Sequence, residues 1–396
     1  MTEIKTVDAF KEFVSSITAQ AGYQAPCAFG LGVRRSKKGQ TLDVTFPKVN
    51  WESNLGSAAI FYKFALESEQ QAGMKACKNG YAVLTQAQLT QAFECFAPFH
   101  AELEKHANVM GLKSMVDMQI SKDAYADVDC VAVFIWDKQA AVESAEEAYL
   151  KLQLISQREI KPHGICMDGI FGKLTNVAWT NYGPMLPEDV AVERIKHLGS
   201  QMPLNVSHVD KFPYLLNYFI PSGVRVAAGH KVRLGAHLAE GTTVMQAGFV
   251  NFNAGTLGNA MIEGRVSAGV VVGENSDIGG GASIMGTLSG GNKTVLSVGS
   301  NCLLGANAGT GIALGDGSTI AAGVYVTAGA KVSMYNEKNE PVNFEGQKVA
   351  EGENVTKGVE LSGKKNLLFL QDSQSGKIIC KPNPRMIELN ESLHKN

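Results

Sequence analysis

The sequence predicts a mainly-β chain: a coil of short parallel strands, with an α+β region before it and a small C-terminal extension after it. Two compositional observations and one periodicity predict this. From Gly223 to Tyr335 there are 24 glycines in 113 residues, against 18 in the other 283, and the same stretch holds no proline and no tryptophan. Its apolar residues also recur every six positions. Val226, Val232, Leu238, Val244, Val250, Thr256, Ile262 and Ala268 share one grid, with Gly229, Gly235 and Gly241 three places after the first three. Leu296, Cys302, Ala308, Leu314, Ile320, Val326 and Val332 share a second, and there a glycine follows three places on each time except the last. Val272, Ile278 and Ile284 form a shorter run between them.

A six-residue period fits a short flat strand that turns one aliphatic side chain inward, followed by a corner where a small residue tolerates positive φ. Three such units make one triangular turn. A single turn cannot bury its own face, so turns must stack around a continuous aliphatic column. At roughly 18 residues per turn, the stretch holds about five to six turns. The period slips near 269–271 and 286–295, where a loop can leave the coil. The string Gly286-Thr287-Leu288-Ser289-Gly290-Gly291-Asn292 is the better loop candidate.

The rest of the chain divides around this coil as 1–110, 111–222, 223–335 and 336–396. In the first part, Asp8 is placed to cap a helix whose inner face is Phe10, Phe13, Val14 and Ile17. Ala28 to Arg34 and Thr41 to Phe46 read as strands, and 57–70 and 86–107 as helices. In the second part, Val131 to Trp136 reads as a buried strand and 140–157 as a helix. Another strand is expected near Ile165 to Ile170, and a helix over 188–198 after Pro187, a favoured first-turn residue.

Lys and Arg number 36 against 38 Asp and Glu, a net charge of -2, which argues against a polyanion such as nucleic acid as partner. Met1 to Lys5 lead straight into an amphipathic segment with no signal-peptide pattern, and the densest apolar run, Cys130 to Trp136, is too short to span a bilayer. The seven cysteines, Cys27, Cys77, Cys95, Cys130, Cys166, Cys302 and Cys380, are odd in number and form no CxxC pair. The expectation is a soluble cytoplasmic protein with reduced thiols and no membrane contact.

Three strings in the coil carry a resemblance: Glu263-Gly264-Arg265-Val266-Ser267-Ala268-Gly269-Val270-Val271-Val272-Gly273, then Gly279 to Gly291, then Cys302-Leu303-Leu304-Gly305-Ala306-Asn307. They resemble the tetrahydrodipicolinate N-succinyltransferases of the hexapeptide-repeat acyltransferase superfamily, in the long form of actinobacteria and Campylobacter-like bacteria. Similarity runs from about Arg233 to Val332 and resumes at Glu360-Leu361-Ser362-Gly363 and Asn366-Leu367-Leu368-Phe369; the first 200 residues resemble the family mainly in length and position. The resemblance implies a left-handed parallel β-helix and a homotrimer with active sites between subunits. It implies an enzyme of lysine and diaminopimelate biosynthesis that moves the succinyl group of succinyl-CoA to tetrahydrodipicolinate. The products are N-succinyl-2-amino-6-oxopimelate and CoA. Succinyl-CoA is then a co-substrate, and no tightly bound cofactor is expected.

The same resemblance implies site residues. Glu263 matches the catalytic carboxylate, as general base or through an acyl anhydride, and Gly286 the backbone N–H facing the thioester carbonyl. Arg265 matches a contact to the acyl donor, and a guanidinium suits a carboxylate. Gly280, Ser283, Ala306, Ala321, Ala322 and Gly329 match the CoA groove, where small residues are also what a coil needs. Lys357 and the run Leu370, Gln371, Asp372 and Ser373 match contacts to the nucleotide end. Relatives often carry arginines where this chain has Leu370 and Gln371, so Lys364 and Lys365 are alternative phosphate partners. Arg233 and Asn253 are candidates for the substrate carboxylates.

No metal is expected. The positions that hold magnesium in some relatives are His230 and Ala247 here. His230 and His237, seven apart, do not share a coil face and have no third histidine beside them, which disfavours a zinc hydratase. Cys302, on the inward grid, reads as a structural thiol. Two other readings stay open: a hexapeptide acyltransferase using acetyl-CoA or another amine acceptor, and a non-catalytic trimeric scaffold.

Overall fold

The computed structural model describes residues 4–121, 124–199, 202–291 and 293–384. Asn292 of the expected loop, the first three residues and residues 385–396 of the expected extension lie outside the described residues. The chain forms two compact units, Met1–Ile160 with Gly164–Pro213 and Lys161–His163 with Tyr214–Asn396.

The first unit is built on an antiparallel sheet of β1 (Ala28–Lys37), β2 (Gln40–Thr45), β3 (Val49–Trp51), β4 (Gln71–Ala72), β5 (Gly80–Leu84) and β6 (Asp127–Ile135). Its order is β2-β1-β6-β5-β4, with β3 on β1. Side chains alternate across the sheet. Phe29, Leu31, Ala132 and Phe134 face a core shared with α1 (Val7–Thr18), α2 (Leu55–Leu66), α3 (Gln86–Cys95) and α4 (Ala107–Val116). Gly30 and Gly32 turn the other way, where Phe46 leaves no room for a Cβ; at Gly30 the end of Leu150, on α5 (Ala145–Ser156), closes in as well.

Every residue of α5 is buried, so its polar groups must all find partners. Lys151 pairs with Glu147 at 2.9 Å and donates to the carbonyls of Ala140 and Cys166. Glu146 accepts from Arg34 and Thr41, and Gln153 exchanges hydrogen bonds with the backbone of Phe46 and Val44. A smaller antiparallel sheet of β7 (Val177–Thr180), β8 (Gly183–Met185) and β9 (Val206–Asp210) follows.

Several local expectations are corrected. Thr6, not Asp8, caps α1, its hydroxyl accepting from the Ala9 N–H at 3.1 Å. The span 86–107 is not one helix: Pro98 lies in a 3-10 stretch, Ala97–Lys105, between α3 and the start of α4. No strand forms at 165–170; Gly169, at φ +83°, opens the single turn of α6 (Ile170–Lys173). The helix at 188–198 is a 3-10 turn from Pro187 to Asp189 followed by α7 (Val190–His197).

In the second unit the chain visits three parallel sheets in rotation. The first face stacks Arg225–Val226, Thr242–Val244, Ala260–Ile262, Ser276–Ile278, Leu303–Leu304, Thr319–Ile320 and Leu367–Gln371. The second stacks Phe249–Val250, Arg265–Val266, Ser283–Ile284, Gly309–Thr310 and Tyr325–Val326. The third stacks Gly255–Thr256, Val271–Val272 and Ser297–Val298. Isolated bridges Val232↔Val250, His237↔Gly255 and Val298↔Leu314 extend the second and third faces. The aliphatic column between them is almost fully buried.

The phase of the hexapeptides differs from expectation in two places. Val266, not Ala268, continues the column after Ile262, a step of four rather than six. Val298, Leu304 and Thr310 stack above Leu314, Ile320 and Val326, while Leu296, Cys302 and Ala308 are buried two residues earlier. In a strand, residues i and i+2 point the same way, so composition alone could not choose between the two inward positions. No loop leaves at 269–271. The excursion at 286–295 does leave, closed by a bridge between Thr287 and Val295.

Glycine serves the stacking in two ways. At Gly281, φ is +72°, a corner conformation that Asn253, Asn301 and Asn307 also adopt elsewhere. At Gly305 the need is space: a Cβ would lie 2.5 Å from the backbone nitrogen of Ala322 in the next turn. Beyond the last full turn, the antiparallel hairpin Leu367–Gln371 and Ile378–Pro382 brings Phe369 and Cys380 into the core beside Leu361, closing the column. Among the described residues no helix is long and apolar enough to cross a membrane.

Gly305→Ala must push two turns apart, whereas a Cβ at Gly329 meets nothing within 4 Å. Thermal unfolding should show a midpoint several degrees lower for Gly305→Ala, the size expected for a loss of about 1–3 kcal/mol by overpacking, and no comparable drop for Gly329→Ala.

Candidate active site

The residues singled out in the coil gather on one side of it. Each strand of the first face ends in a corner before the second face begins, and these corners stack. Of the corners that hold candidates, the earliest carries Glu263, the next Gly280, then Ala306, then Ala321 and Ala322. A backbone ladder fixes them: Gly281 N–H donates to Glu263 O at 3.3 Å, Asn307 to Gly280 O at 2.9 Å, and Gly323 to Ala306 O at 2.9 Å. Ala321 donates in turn to Phe369 O, in the strand that ends at Leu370 and Gln371. The corner column is therefore a ledge of small residues running from a carboxylate to the carboxy-terminal hairpin. The Glu263 carboxylate leans along it, one oxygen 3.6 Å from where a Cβ on Gly280 would be.

The outward positions of the second face lie beside this ledge. Arg265, Ser283, Gly309 and Tyr325 pair in register on four successive strands. Arg265 donates from Nη2 to Ser283 Oγ at 2.6 Å, which steers the guanidinium along the face.

The corner after the second face carries Gly286. Its N–H has no hydrogen-bond partner among the described residues, while its carbonyl accepts from Leu296 at 3.2 Å. The loop it opens is tied down by Ser289, whose N–H donates to Gly311 O at 3.0 Å and whose hydroxyl accepts from Ala328 N–H at 2.7 Å. Arg265, Ser267, Met285, Gly286, Thr287 and Ser289 line a cleft of about 350 Å³. A free N–H, a guanidinium and serine hydroxyls thus border one opening, a set able to receive developing negative charge and a carboxylate.

Gly329 sits on this second corner rather than with Ala306 and Ala322, exposed between the strands Tyr325–Val326 and Lys331–Met334. Lys357 is exposed on the strand Val355–Lys357, opposite Lys331, and the next residue, Gly358, donates to Ala330 O at 2.9 Å. At the hairpin, Asp372 is committed to the turn. It accepts from the Ser375 hydroxyl and the Gln374 N–H, and the Ser375 hydrogen bond foremost holds its carboxyl below the usual range. Leu370 is half-buried, and Gln371 and Ser373 are exposed.

The remaining candidates are placed as follows. Lys365 pairs with Asp316 at 2.7 Å, and Lys364 lies over the Phe344 ring. Arg233 donates to Asn251 Oδ1 at 3.3 Å, and Asn253 Oδ1 accepts from His163 N–H at 2.9 Å. His237 is buried with Nδ1 on Thr256 O at 2.9 Å, and the His230 ring faces Tyr214. Cys302 is buried with its thiol on Gly315 O at 3.3 Å, and desolvation foremost pushes its pKa up.

Sequence reasoning missed Ser289, Ser267 and Tyr325. Ser289 and Ser267 sit in or beside motif strings, but their hydrogen bonds cross turns and carry no local signal. Tyr325 comes one position before the grid residue Val326 and points outward, where periodicity is silent.

Residues 8–172 match the family described as Tetrahydrodipicolinate N-succinyltransferase N-terminal, 174–214 its middle region, and 295–328 the hexapeptide repeat of succinyl-transferase. The first unit, expected to resemble the family mainly in length, thus carries a family match of its own. The chain is 53% identical over 254 residues to the 2,3,4,5-tetrahydropyridine-2,6-dicarboxylate N-succinyltransferase of Vibrio cholerae, spanning 64% of this chain and 71% of that one. It is 49% identical over 284 residues to the enzyme of the same name in Pseudomonas paraeruginosa, spanning 72% and 79%. A Campylobacter jejuni crystal structure described as a 2,3,4,5-tetrahydropyridine-2-carboxylate N-succinyltransferase superposes with a TM-score of 0.85 at 35% identity, covering 98% of this chain and all of that one.

A thiol held this way should not act as a nucleophile. Cys302→Ala should retain turnover, and the native Cys302 thiol should resist a disulfide reagent near the ordinary cysteine pKa of about 8.5. Mass spectrometry after labelling checks this; rapid labelling of native Cys302, or loss of turnover in a folded Cys302→Ala, would contradict it.

With the family matches covering both units and relatives near 50% identity, the chain belongs to the tetrahydrodipicolinate N-succinyltransferase family.

Proposed function

We propose that this chain transfers the succinyl group of succinyl-CoA to the amine of ring-opened tetrahydrodipicolinate, giving N-succinyl-2-amino-6-oxopimelate and CoA on the route to diaminopimelate and lysine. The observation that carries the reading is the ledge that begins at Glu263 and ends at the carboxy-terminal hairpin, beside the unpartnered N–H of Gly286.

In this proposal water adds to the cyclic imine and the ring opens to a free amine. The amine nitrogen attacks the thioester carbonyl, a C–N bond forms, and the C–S bond breaks with CoA leaving as thiolate. Glu263 acts as general base for the ammonium proton. The Gly286 N–H stabilises the oxyanion. Arg265, turned along the face by Ser283, receives a carboxylate.

The arm of CoA lies against Gly280, Ser283, Ala306, Ala321, Ala322 and Gly329, and its nucleotide end meets Lys357 and Leu370 to Ser373. Succinyl-CoA is a co-substrate, and no resident metal or cofactor takes part. The coil is a left-handed parallel β-helix, and the active form is a cytoplasmic homotrimer with sites between subunits. Its partners are small molecules, with neither nucleic acid nor membrane. The scheme of 1–110, 111–222, 223–335 and 336–396 belongs to the same proposal, with catalysis assigned to 223–335.

Thiol release tests it. Succinyl-CoA should yield CoA only when tetrahydrodipicolinate is present, and acetyl-CoA should be the poorer donor. Glu263→Ala should lower the rate about a hundredfold or more with the oligomer unchanged. No acceptor-dependent release from either donor would leave the scaffold reading, and preference for acetyl-CoA would move the chain to an acetylating role.

A further inference from the structure

Beyond Arg265, the outer face between the two corner columns is floored by a serine and a glycine before a large side chain returns. Ser283 and Gly309 are followed, in register on the next strand, by Tyr325, which is 41% exposed. Its ring does not stand out into solvent. A Cβ built on Gly309 would lie 2.1 to 2.6 Å from three ring atoms, so the ring is laid back over Gly309, toward Ser283. The glycine there serves the ring: any side chain would unseat it. The Tyr325 hydroxyl has no hydrogen-bond partner among the described residues.

An aromatic ring held flat on an open strand face exposes apolar area at little entropic cost, with a polar tip left to pair. Its place is defined by the ladder. Strands lie about 4.8 Å apart, so Tyr325 stands three steps, about 14 Å, from Arg265 on the same face. On one side lie Ala306 and Ala322, on the other Gly329. An extended chain starting at the cleft of Arg265 and Gly286, on the second corner, and heading for the hairpin, which stacks on the first face, crosses the face that this ring occupies. Of an acyl thioester's parts, the one at that distance is the arm between sulfur and nucleotide, a chain of methylenes and amides with a gem-dimethyl group.

We propose that Tyr325, seated on Gly309, is the binding residue for the pantetheine arm of the acyl donor, its ring packing against the arm's apolar carbons and its hydroxyl pairing with an amide. This rests on the acyl-CoA reading above and names a residue which that reading did not include.

The test is a double-mutant cycle on the full-length protein, read as steady-state kinetics and as direct binding of CoA and of 3′,5′-ADP, which lacks the arm. Tyr325→Ala should raise KM for succinyl-CoA about three- to tenfold with little change in kcat, the size expected for one aromatic contact. It should weaken CoA binding by a like factor and leave 3′,5′-ADP binding unchanged. Gly309→Ala should reproduce the loss in the wild-type background and add little in Tyr325→Ala, because both remove the same seat. Unchanged KM and CoA affinity in Tyr325→Ala would overturn the proposal, as would equal losses for CoA and 3′,5′-ADP, which would put the ring under the nucleotide. Additive losses from the two substitutions would also overturn it. If the wild-type chain binds CoA but shows no succinyl transfer, the function proposed above fails, while the binding comparison still decides the role of Tyr325.

Discussion

The second unit depends on how closely one turn of backbone lies on the next. Successive strands on each face pair in register, so the corners of neighbouring turns stack and several corner glycines lie directly against the backbone of the next turn. At Gly305 the next backbone nitrogen would be 2.5 Å from a Cβ, and at Gly273 the carbonyl carbon of Gly299 would be equally near. Small residues at corners are therefore a condition of stacking. The same condition leaves a smooth ledge on the outside, and the candidate site uses it. Gly279 and Gly305 are small for the coil's sake, whereas a Cβ on the neighbouring Gly280 would meet only the Glu263 carboxylate, at 3.6 Å. Small corner residues can be necessary to both fold and function without distinguishing them, so the informative positions are those the stacking does not require: Glu263, Arg265, Ser289 and Tyr325.

The first unit solves a different problem. Its sheet is covered by helices, and α5 is enclosed along its whole length, so Glu146, Glu147, Lys151 and Gln153 are tied to named partners rather than to water. Removing one partner of a buried pair such as Lys151 and Glu147 leaves the other charge stranded, typically a cost of about 3–5 kcal/mol. This network fixes where the loops around Ala140 and Cys166 run, since both carbonyls accept from the Lys151 ammonium.

Much of the coil was legible in the sequence because its inward residues repeat at a fixed interval. Val232, Val250, Ile278 and Ile320 were all placed correctly by period alone. Phase was less legible. Ala268 and Val266 are both apolar, two residues apart, and only the ladder shows that Val266 faces inward. In the first unit a strand was legible where a hydrophobic run dominates, as at Val131 to Trp136, although β6 starts four residues earlier at Asp127; elements were misread where a cap or a proline decides, as at Thr6 and Pro98. For the site, the motif around Glu263 and Gly286 was visible, whereas the tie from Ser289 to Ala328 spans 39 residues and has no sequence pattern. The hairpin's role in closing the core at Phe369 and Cys380 was likewise invisible, because its strands join the coil only after a long connection.

The central claim is that the second face of the coil and the two corner columns beside it, from Glu263 and Gly286 to the hairpin, hold the acyl donor. Hydrogen exchange measured by mass spectrometry with and without CoA tests it most directly. The account predicts slowed exchange in peptides covering 279–283, 305–309, 321–330 and 368–373, with the opposite corners at 257–259, 273–275 and 299–301 unchanged. Protection confined to those opposite corners, or no protection in the coil at saturating CoA, would contradict it.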